Sequence, residues 1–204
     1  MMGFYNRFIM PRMINCACGT KPIRKQREKV IPKAEGVVLE IGIGSGLNLP
    51  FYNPEKVTKI IGVDPDDHIW KRGKKRRAEC DIEIERIGLS GEEIPLEDNL
   101  VDCVVCTYTL CTIPDPIKAI HEMRRILKPG GQILFTEHGK APDETIYQKQ
   151  LKMDRWWGKI SGGCHTSRDI PDLFRKADLN LTSLDEMYIP GPKTLGYNYW
   201  GSAE

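Results

Sequence analysis

From residue 37 onward, short apolar runs alternate with longer stretches that have helical periodicity. This alternation is typical of a parallel sheet whose strands are joined by crossover helices. The clearest helix is Pro116–Leu127, whose apolar residues fall on one face and whose start Asp115 can cap. The pattern predicts five strands: Val37–Ile41, Lys59–Val63, Ile82–Ile87, Val101–Cys106 and Gln132–Glu137.

The last third of the chain has a different pattern. A polar helix near Asp143–Trp157 and a short helix near Arg168–Lys176 precede two strand-like runs, Asn180–Ile189 and Thr194–Gly201. Only Pro190-Gly191-Pro192 separates these runs, which is too short for a crossover helix, so we expect an antiparallel hairpin. The predicted fold class is α/β: a Rossmann-like, mostly parallel seven-stranded sheet with a C-terminal antiparallel hairpin and helices on both faces.

Length and composition agree with a single main domain. The chain has 204 residues, of which 40% are hydrophobic and 28% are charged. Residues 37–204 are predicted to form this domain, and residues 1–36 (the front segment) a helical cap or lid over the carboxyl edge of the sheet. Neither a transmembrane run of about 18 apolar residues nor a secretory signal is recognisable, which predicts a cytoplasmic protein.

Charge is nearly balanced overall but uneven along the chain. Thirty Lys and Arg oppose 28 Asp and Glu, which argues against a nucleic-acid partner. The front segment, however, carries eight basic side chains against Glu28 and Glu35. It can contact an anionic membrane surface peripherally, or it can simply present a solvated helix face.

The seven cysteines do not form a recognisable metal motif. Cys103 and Cys106 have CxxC spacing, but they fall on a predicted strand, where residues three apart point to opposite faces. They therefore cannot hold one ion, and we expect reduced cysteines and no metal site.

The sharpest motif is a glycine-rich turn directly after the first strand. Its pattern is GxGxG, formed by Gly42, Gly44 and Gly46. A dinucleotide fingerprint, GxGxxG, would need its third glycine at position 47, where this chain has Leu47. Glu40, just before the turn, would repel a diphosphate but suits a cationic ammonium group. Asp64 ends the next strand, where an acid can accept hydrogen bonds from both hydroxyls of a ribose. An ammonium group, a ribose and no phosphate describe S-adenosylmethionine better than a nicotinamide cofactor.

With these motifs the sequence resembles the class I S-adenosylmethionine-dependent methyltransferases. Ser90–Pro95 is similar to their adenine-contacting loop, and Lys128–Gly131 to the turn before their fifth strand. Many members carry Asp where this chain has Ser90, so the adenine amine would be read by backbone groups or by Glu92. The resemblance implies S-adenosylmethionine as cofactor, with S-adenosylhomocysteine as product, and the following binding residues: Glu40, Gly42, Gly44, Gly46, Asn48, Asp64, Pro65, Gly91, Glu92 and Thr107.

Within this class the chain is similar to the methyltransferase-like thiol methyltransferases and their bacterial relatives. The residues that carry this likeness are Tyr5–Phe8, Val104–Thr107, Leu110-Cys111, Glu137-His138 and Gly162–Arg168. The likeness implies methyl transfer to a small, fairly apolar nucleophile, with a thiol favoured. Quinone or phospholipid-amine methylation and a non-catalytic cofactor-binding module remain as alternatives.

Four residues are candidates for the acceptor side of the site. His138 follows the fifth strand and is the candidate catalytic base, although a histidine there can also merely hydrogen-bond a loop. Tyr5, Trp156 and His165 are candidate substrate-binding residues, Tyr5 as part of the N-terminal lid. Trp156 can equally pack its helix onto the sheet.

Overall fold

A mixed seven-stranded sheet lies at the centre of the protein. The computed structural model describes residues 3–204 apart from the side chain of Asn6, so Met1 and Met2 of the predicted cap lie outside the described residues. The strand order is β3-β2-β1-β4-β5-β7-β6. Neighbours from β3 to β5 pair in parallel, whereas β7 pairs antiparallel with both β5 and β6, which confirms the predicted fold class. The strands are β1 (Gly36–Ile41), β2 (Val57–Val63), β3 (Glu83–Ile87), β4 (Val101–Thr107), β5 (Leu127–His138), β6 (Leu181–Tyr188) and β7 (Tyr197–Ala203).

Helices cover both faces of this sheet. The main crossover helix, α5, ends at Ile126, and the Asp115 side chain accepts a hydrogen bond from the Lys118 N–H at its start, as predicted. Shorter π and 3₁₀ segments occupy Tyr5–Ile9, Ile31–Lys33 and Leu49–Phe51. The α-helices are α1 (Met10–Cys18), α2 (Lys21–Val30), α3 (Asp67–Arg72), α4 (Lys74–Ala78), α5 (Pro116–Ile126), α6 (Glu144–Ile160), α7 (Ile170–Lys176) and α8 (Lys193–Gly196).

Two strand boundaries differ from the sequence prediction by three or more residues. The predicted strand Thr194–Gly201 begins at Tyr197, because the residues before it form the helical turn α8, closed by a hydrogen bond from the Leu195 N–H to the Pro192 carbonyl. Strand β5 begins at Leu127, which pairs with Val101, and not at Gln132. Apolar periodicity alone does not locate either boundary, since both depend on contacts with a neighbouring segment.

Strand side chains alternate between two hydrophobic clusters. Leu39, Ile61 and Phe135 belong to one cluster, whereas Val38 and Ile60 belong to the other. Cys106 lies in the first cluster and Cys103 in the second, so their side chains point away from each other as the strand prediction requires.

The front segment is part of the same packed unit as the sheet. Val30, Ile31 and Ala34, at its end, are fully enclosed in the second cluster. Burial of these side chains holds α2 against the sheet, and this contact positions α1 near the carboxyl ends of the strands. Across residues 3–204, no helix combines the length and the apolar character that a membrane span needs.

We expect the substitution Phe174→Ala to destabilise the fold strongly. Phe174 of α7 is fully buried, and its ring centroid lies 4.6 Å from that of Phe135 on β5. Removal of the phenyl ring leaves a cavity and should lower the free energy of unfolding by about 3–5 kcal/mol, measured by chemical denaturation. Leu184→Ala on β6, where the side chain is 40% exposed, is the control and should change it by only about 0.5 kcal/mol. Equal effects of the two substitutions would contradict this account of the core.

Candidate active site

A cavity of about 340 Å³ opens at the carboxyl ends of β1, β2 and β4. The strand order changes direction at β1, because the chain continues to β2 on one side of it and later to β4 on the other side. Open α/β sheets bind their ligands at such a point. Helix α1 and Arg27 of α2 form the wall opposite the sheet. The other lining residues come from the loops after the strands and include Gly42–Ser45, Asp64–Asp66, Ser90, Gly91, Thr107–Thr109 and Thr112–Pro114.

The glycine-rich turn forms the floor of this cavity. Gly42 has a φ of +73°, and a Cβ there would collide with the Thr109 side chain. Gly44, whose φ is +51°, donates its N–H to the Asp64 Oδ2 at 2.9 Å. This bond ties the turn after β1 to the end of β2.

Glu40 lies at the centre of a buried polar network. Its Oε2 accepts a hydrogen bond from the Tyr52 hydroxyl at 2.7 Å, and its Oε1 accepts one from the Asn48 amide at 2.9 Å. Arg27 Nη1 donates to the Asn48 Oδ1 at 2.8 Å and also to the Thr107 hydroxyl. The network therefore links the front segment, the glycine turn, β1 and β4. Arg27 is not among the residues predicted from the sequence, although its position three residues before the buried Val30 is consistent with the inward face of α2.

Burial raises the pKa of Glu40 to about 7, although the Tyr52 hydroxyl, the Arg27 charge and the Asn48 amide favour ionisation. The carboxyl group is therefore balanced between its neutral and ionised forms near pH 7. A cation bound beside it would favour the ionised form.

Asp64 is held in place by two backbone groups. Its Oδ2 accepts the Gly44 N–H and its Oδ1 accepts the Asp66 N–H at 2.8 Å. Burial also raises the pKa of Asp64. Each carboxylate oxygen keeps a further lone pair, so the group can still accept hydrogen bonds from two neighbouring hydroxyls.

Most predicted cofactor residues line the cavity: Glu40, Gly42, Gly44, Asn48, Asp64, Pro65, Gly91 and Thr107. Gly46 lies in the same turn but outside the lining. Glu92 is also outside it, because its carboxylate accepts hydrogen bonds from the Ser90 hydroxyl at 2.7 Å and from the Asp115 N–H at 2.8 Å. Glu92 thus holds the Ser90-Gly91 loop against the start of α5, while Ser90 and Gly91 themselves face the cavity.

The predicted substrate-binding residues lie around the end of α6 and not on the cavity wall. The Tyr5 hydroxyl donates to the Ile160 carbonyl at 2.6 Å, the Trp156 side chain is 52% exposed, and His165 is exposed. The loop after α6 reaches the cavity through Gly162. The roles of Tyr5, Trp156 and His165 therefore stay predictions.

His138 lies one side chain behind the cavity wall. Its ring stacks with that of Tyr108, a lining residue, at a centroid distance of 6.4 Å. Its Nε2 is 3.3 Å from the Cys164 Sγ, and Cys111 completes a compact group that we call the Cys-His-Cys cluster. The Cys111 Sγ lies 3.4 Å from the hydroxyl of Thr112, which also lines the cavity. The sequence analysis did not connect these cysteines with His138, because they come from separate loops.

Known proteins match this chain in sequence over the residues that form the cavity. A family model described as a methyltransferase domain matches residues 39–135, which include the glycine turn and Asp64. Thiol S-methyltransferase TMT1B of Rattus norvegicus is 35% identical over 174 residues, which cover 79% of this chain and 70% of that protein. This chain belongs to the S-adenosylmethionine-dependent methyltransferase family. The resemblance found in the sequence is therefore confirmed, and S-adenosylmethionine is the cofactor of this methyltransferase.

Two other similarities are weaker. The phosphatidylethanolamine N-methyltransferase of Cereibacter sphaeroides is 29% identical over 105 residues, covering 50% of this methyltransferase and 51% of that protein. The solved structure of an S-adenosylmethionine-dependent methyltransferase from Leishmania major has a TM-score of 0.71, at 16% identity, and the alignment covers 98% of this chain and 80% of that one. At this identity the structural likeness shows the fold alone.

The residues of the cavity fit the cofactor of the family. Two buried carboxyl groups, Glu40 and Asp64, lie on its wall and match an ammonium group and a ribose. When bound, S-adenosylmethionine supplies a methyl group on a sulfonium centre, which a nucleophile can take by in-line displacement. The protein then has to orient the two reactants and exclude water.

We expect cofactor binding to weaken in mild acid because protonated Glu40 cannot balance an ammonium group. With a pKa of about 7 in the free protein, Glu40 is ionised in about a tenth of molecules at pH 6, so the Kd should be about eightfold higher than at pH 7.5. Calorimetric titration with S-adenosylmethionine measures this ratio. The Glu40→Gln variant should bind weakly and with little pH dependence, and an unchanged pH profile in this variant would assign the effect to another group.

We expect Asp64→Ala to weaken cofactor binding by at least about tenfold, since a hydrogen bond to a charged acceptor contributes about 1.5–3 kcal/mol. Asp67→Ala is the matched control, because this nearby carboxylate lies outside the cavity and only pairs with Arg86 at 2.6 Å. Thermal unfolding checks that both variants fold. Normal binding by folded Asp64→Ala would show that the ribose assignment is wrong.

Proposed function

We propose that this methyltransferase transfers the methyl group to the sulfur of a small, fairly apolar thiol. The observation that carries the proposal is the Cys-His-Cys cluster, which lies directly behind Tyr108 and Thr112 on the side of the cavity next to β4 and β5. Sulfur and imidazole groups at this place suit a nucleophile that must react as its thiolate. The similarity to a thiol S-methyltransferase over 79% of the chain supports the same acceptor class.

The acceptor end of the cavity is largely apolar. Helix α1 contributes Met10, Ile14 and Cys18 to the wall. Such a surface favours an uncharged, apolar acceptor body over a strongly polar one. Because α1 belongs to the front segment, we propose that this segment acts as the predicted cap and keeps water from the reacting sulfur.

The reaction requires one proton transfer and one displacement. The thiol loses its proton, and its sulfur bonds to the methyl carbon as the sulfonium–methyl bond breaks, which gives a methyl thioether and S-adenosylhomocysteine. The Nδ1 of His138 is enclosed and its Nε2 faces Cys164, so we expect the residue to act as a member of the cluster and not as an isolated base. We further propose that the acceptor is a small molecule. The proposal also includes a cytoplasmic location and the absence of a nucleic-acid partner.

A panel of acceptors tests this function. With labelled S-adenosylmethionine, we expect methyl transfer to apolar alkyl and aryl thiols, and much less to a quinone or to vesicles that contain phosphatidylethanolamine. Transfer to the quinone or to the lipid amine in preference to every thiol would overturn the thiol assignment. Absence of transfer to any acceptor, with the cofactor bound normally, would instead favour the non-catalytic binding module.

The His138→Gln variant tests the contribution of the cluster. We expect its turnover with a thiol to fall by about a hundredfold, since positioned proton transfer typically contributes about 10²–10⁴ to a rate. The Kd for S-adenosylmethionine should stay within about twofold, because His138 does not line the cavity. His121→Gln, on the exposed face of α5, is the control and should retain full turnover. Equal turnover in the two variants would remove His138 from the mechanism.

A further inference from the structure

Three side chains that commonly bind metals meet at the carboxyl edge of the sheet. Cys111 lies in the loop after β4, His138 is the last residue of β5, and Cys164 lies in the loop after α6. Their possible ligand atoms all lie within 4.8 Å of one another, and the His138 Nε2 is 3.3 Å from the Cys164 Sγ. The convergence depends on three separate segments, so it is a property of the tertiary structure and not of one local turn.

The spacing of these atoms is close to that of a tetrahedral zinc site. Zinc binds thiolate sulfur at about 2.3 Å and imidazole nitrogen at about 2.0–2.1 Å, which places neighbouring ligand atoms about 3.5–3.8 Å apart. Small side-chain rotations would therefore bring the cluster to this geometry. Two thiolates also neutralise a divalent cation, so the complex can be buried without net charge.

Polar atoms around the cluster lack the partners that enclosed atoms normally have. Among the described residues, neither the Nδ1 of His138 nor the Nε1 of Trp157 has a hydrogen-bond partner, and both atoms are fully enclosed. Trp157 lies one residue before Gly158, whose carbonyl accepts the Gly163 N–H at 2.8 Å in the loop that carries Cys164. The unpaired Nδ1 of His138 can carry the ring proton, which leaves the Nε2 beside the Cys164 Sγ free to bind a metal ion.

Polar contacts hold the ligand-bearing loops in fixed positions. The His165 N–H donates to the Cys111 carbonyl at 2.8 Å, which joins two of the loops next to their cysteines. Arg168 donates to the carbonyls of Leu110 and Ile113, on both sides of Cys111. The Asp154 carboxylate accepts hydrogen bonds from the backbone and hydroxyl groups of Thr166 and Ser167. Such supporting contacts are characteristic of a binding site whose first ligands must be placed accurately.

We propose that Cys111, His138 and Cys164 form a three-ligand site for a soft divalent metal ion, with zinc preferred, directly behind the cavity wall. Tyr108 and Thr112 connect the cluster to that cavity, since each contacts a ligand residue and also lines the wall. Three protein ligands and one open position are the arrangement of catalytic zinc sites. The sequence analysis expected no metal site because it considered only Cys103 and Cys106.

Metal content of the full-length protein tests the site directly. Protein produced with added zinc should retain about one zinc ion per chain after extensive dialysis, measured by elemental mass spectrometry. Substitution with cobalt should give thiolate-to-cobalt charge-transfer absorption and the intense visible bands of a tetrahedral ion. Cys111→Ser and Cys164→Ser should each lose most of the metal and of the charge-transfer intensity. Cys16→Ser and Cys80→Ser, which remove thiols outside the cluster, should keep both.

Further measurements distinguish a variant that has lost the metal from one that has lost its fold. They also distinguish failure of the metal site from failure of the proposed function. Each variant is checked by circular dichroism and by S-adenosylmethionine binding, which should stay unchanged because none of the three ligand residues lines the cavity. Less than about a tenth of an equivalent of metal in the wild-type protein would overturn the metal site. Unchanged metal content in the double variant Cys111→Ser/Cys164→Ser would do the same. A metal-free wild-type protein that methylates thiols contradicts the site alone, whereas stoichiometric metal without thiol methylation contradicts only the proposed acceptor.

Discussion

The active site of this methyltransferase depends on the stabilisation of one buried carboxyl group. Glu40 is 1% exposed at the end of β1, where an isolated charge would be very unfavourable. Hydrogen bonds from Tyr52 and Asn48 satisfy its two oxygens, and Arg27 places a positive charge one residue further along the same network. Loss of Tyr52 or Asn48 would leave one buried oxygen of Glu40 unpaired, so these residues act as a unit.

This network also determines how the cavity is closed. Arg27 belongs to the front segment, while its partners Asn48 and Thr107 belong to the glycine turn and to β4. The front segment is thus held to the sheet by polar contacts as well as by the apolar side chains of Val30 and Ile31. Because α1 lines the opposite wall, a displacement of α2 would change both the neighbours of Glu40 and the depth of the cavity. The position of the front segment and the geometry of the cofactor cavity are therefore physically linked.

The difference between local and long-range interactions explains what the sequence could predict. The glycine turn, Asp64 and the terminal hairpin follow from spacing and periodicity within short segments, and the structure has each of them in its expected place. Arg27 was missed because its significance depends on residues 21 and 80 positions away in the chain. Cys111 and Cys164 meet His138 only through the packing of three loops. Glu92 lies in the loop that resembles the adenine-contacting one, yet its oxygens accept hydrogen bonds from the Asp115 N–H and the Ser90 hydroxyl and it does not line the cavity.

The strand order separates two kinds of chemistry along a single edge. Strands β1 and β2 end in the carboxyl groups of Glu40 and Asp64, which suit the hydroxyl and ammonium groups of the cofactor. Strands β4 and β5 lie on the other side of β1 and lead into Cys111 and His138, which are polarizable groups suited to sulfur. Thr107 and Tyr108 lie between these two halves on the cavity wall. The β5 side also carries a buried carboxyl group, that of Glu137, whose Oε1 accepts hydrogen bonds from the backbone N–H groups of Thr109 and Leu110. Because the cofactor-side carboxyl groups and the sulfur and imidazole groups lie on opposite sides of β1, the cofactor and an acceptor can be held on different sides of Thr107 and Tyr108, and in-line transfer needs two reactants that are held apart and aligned.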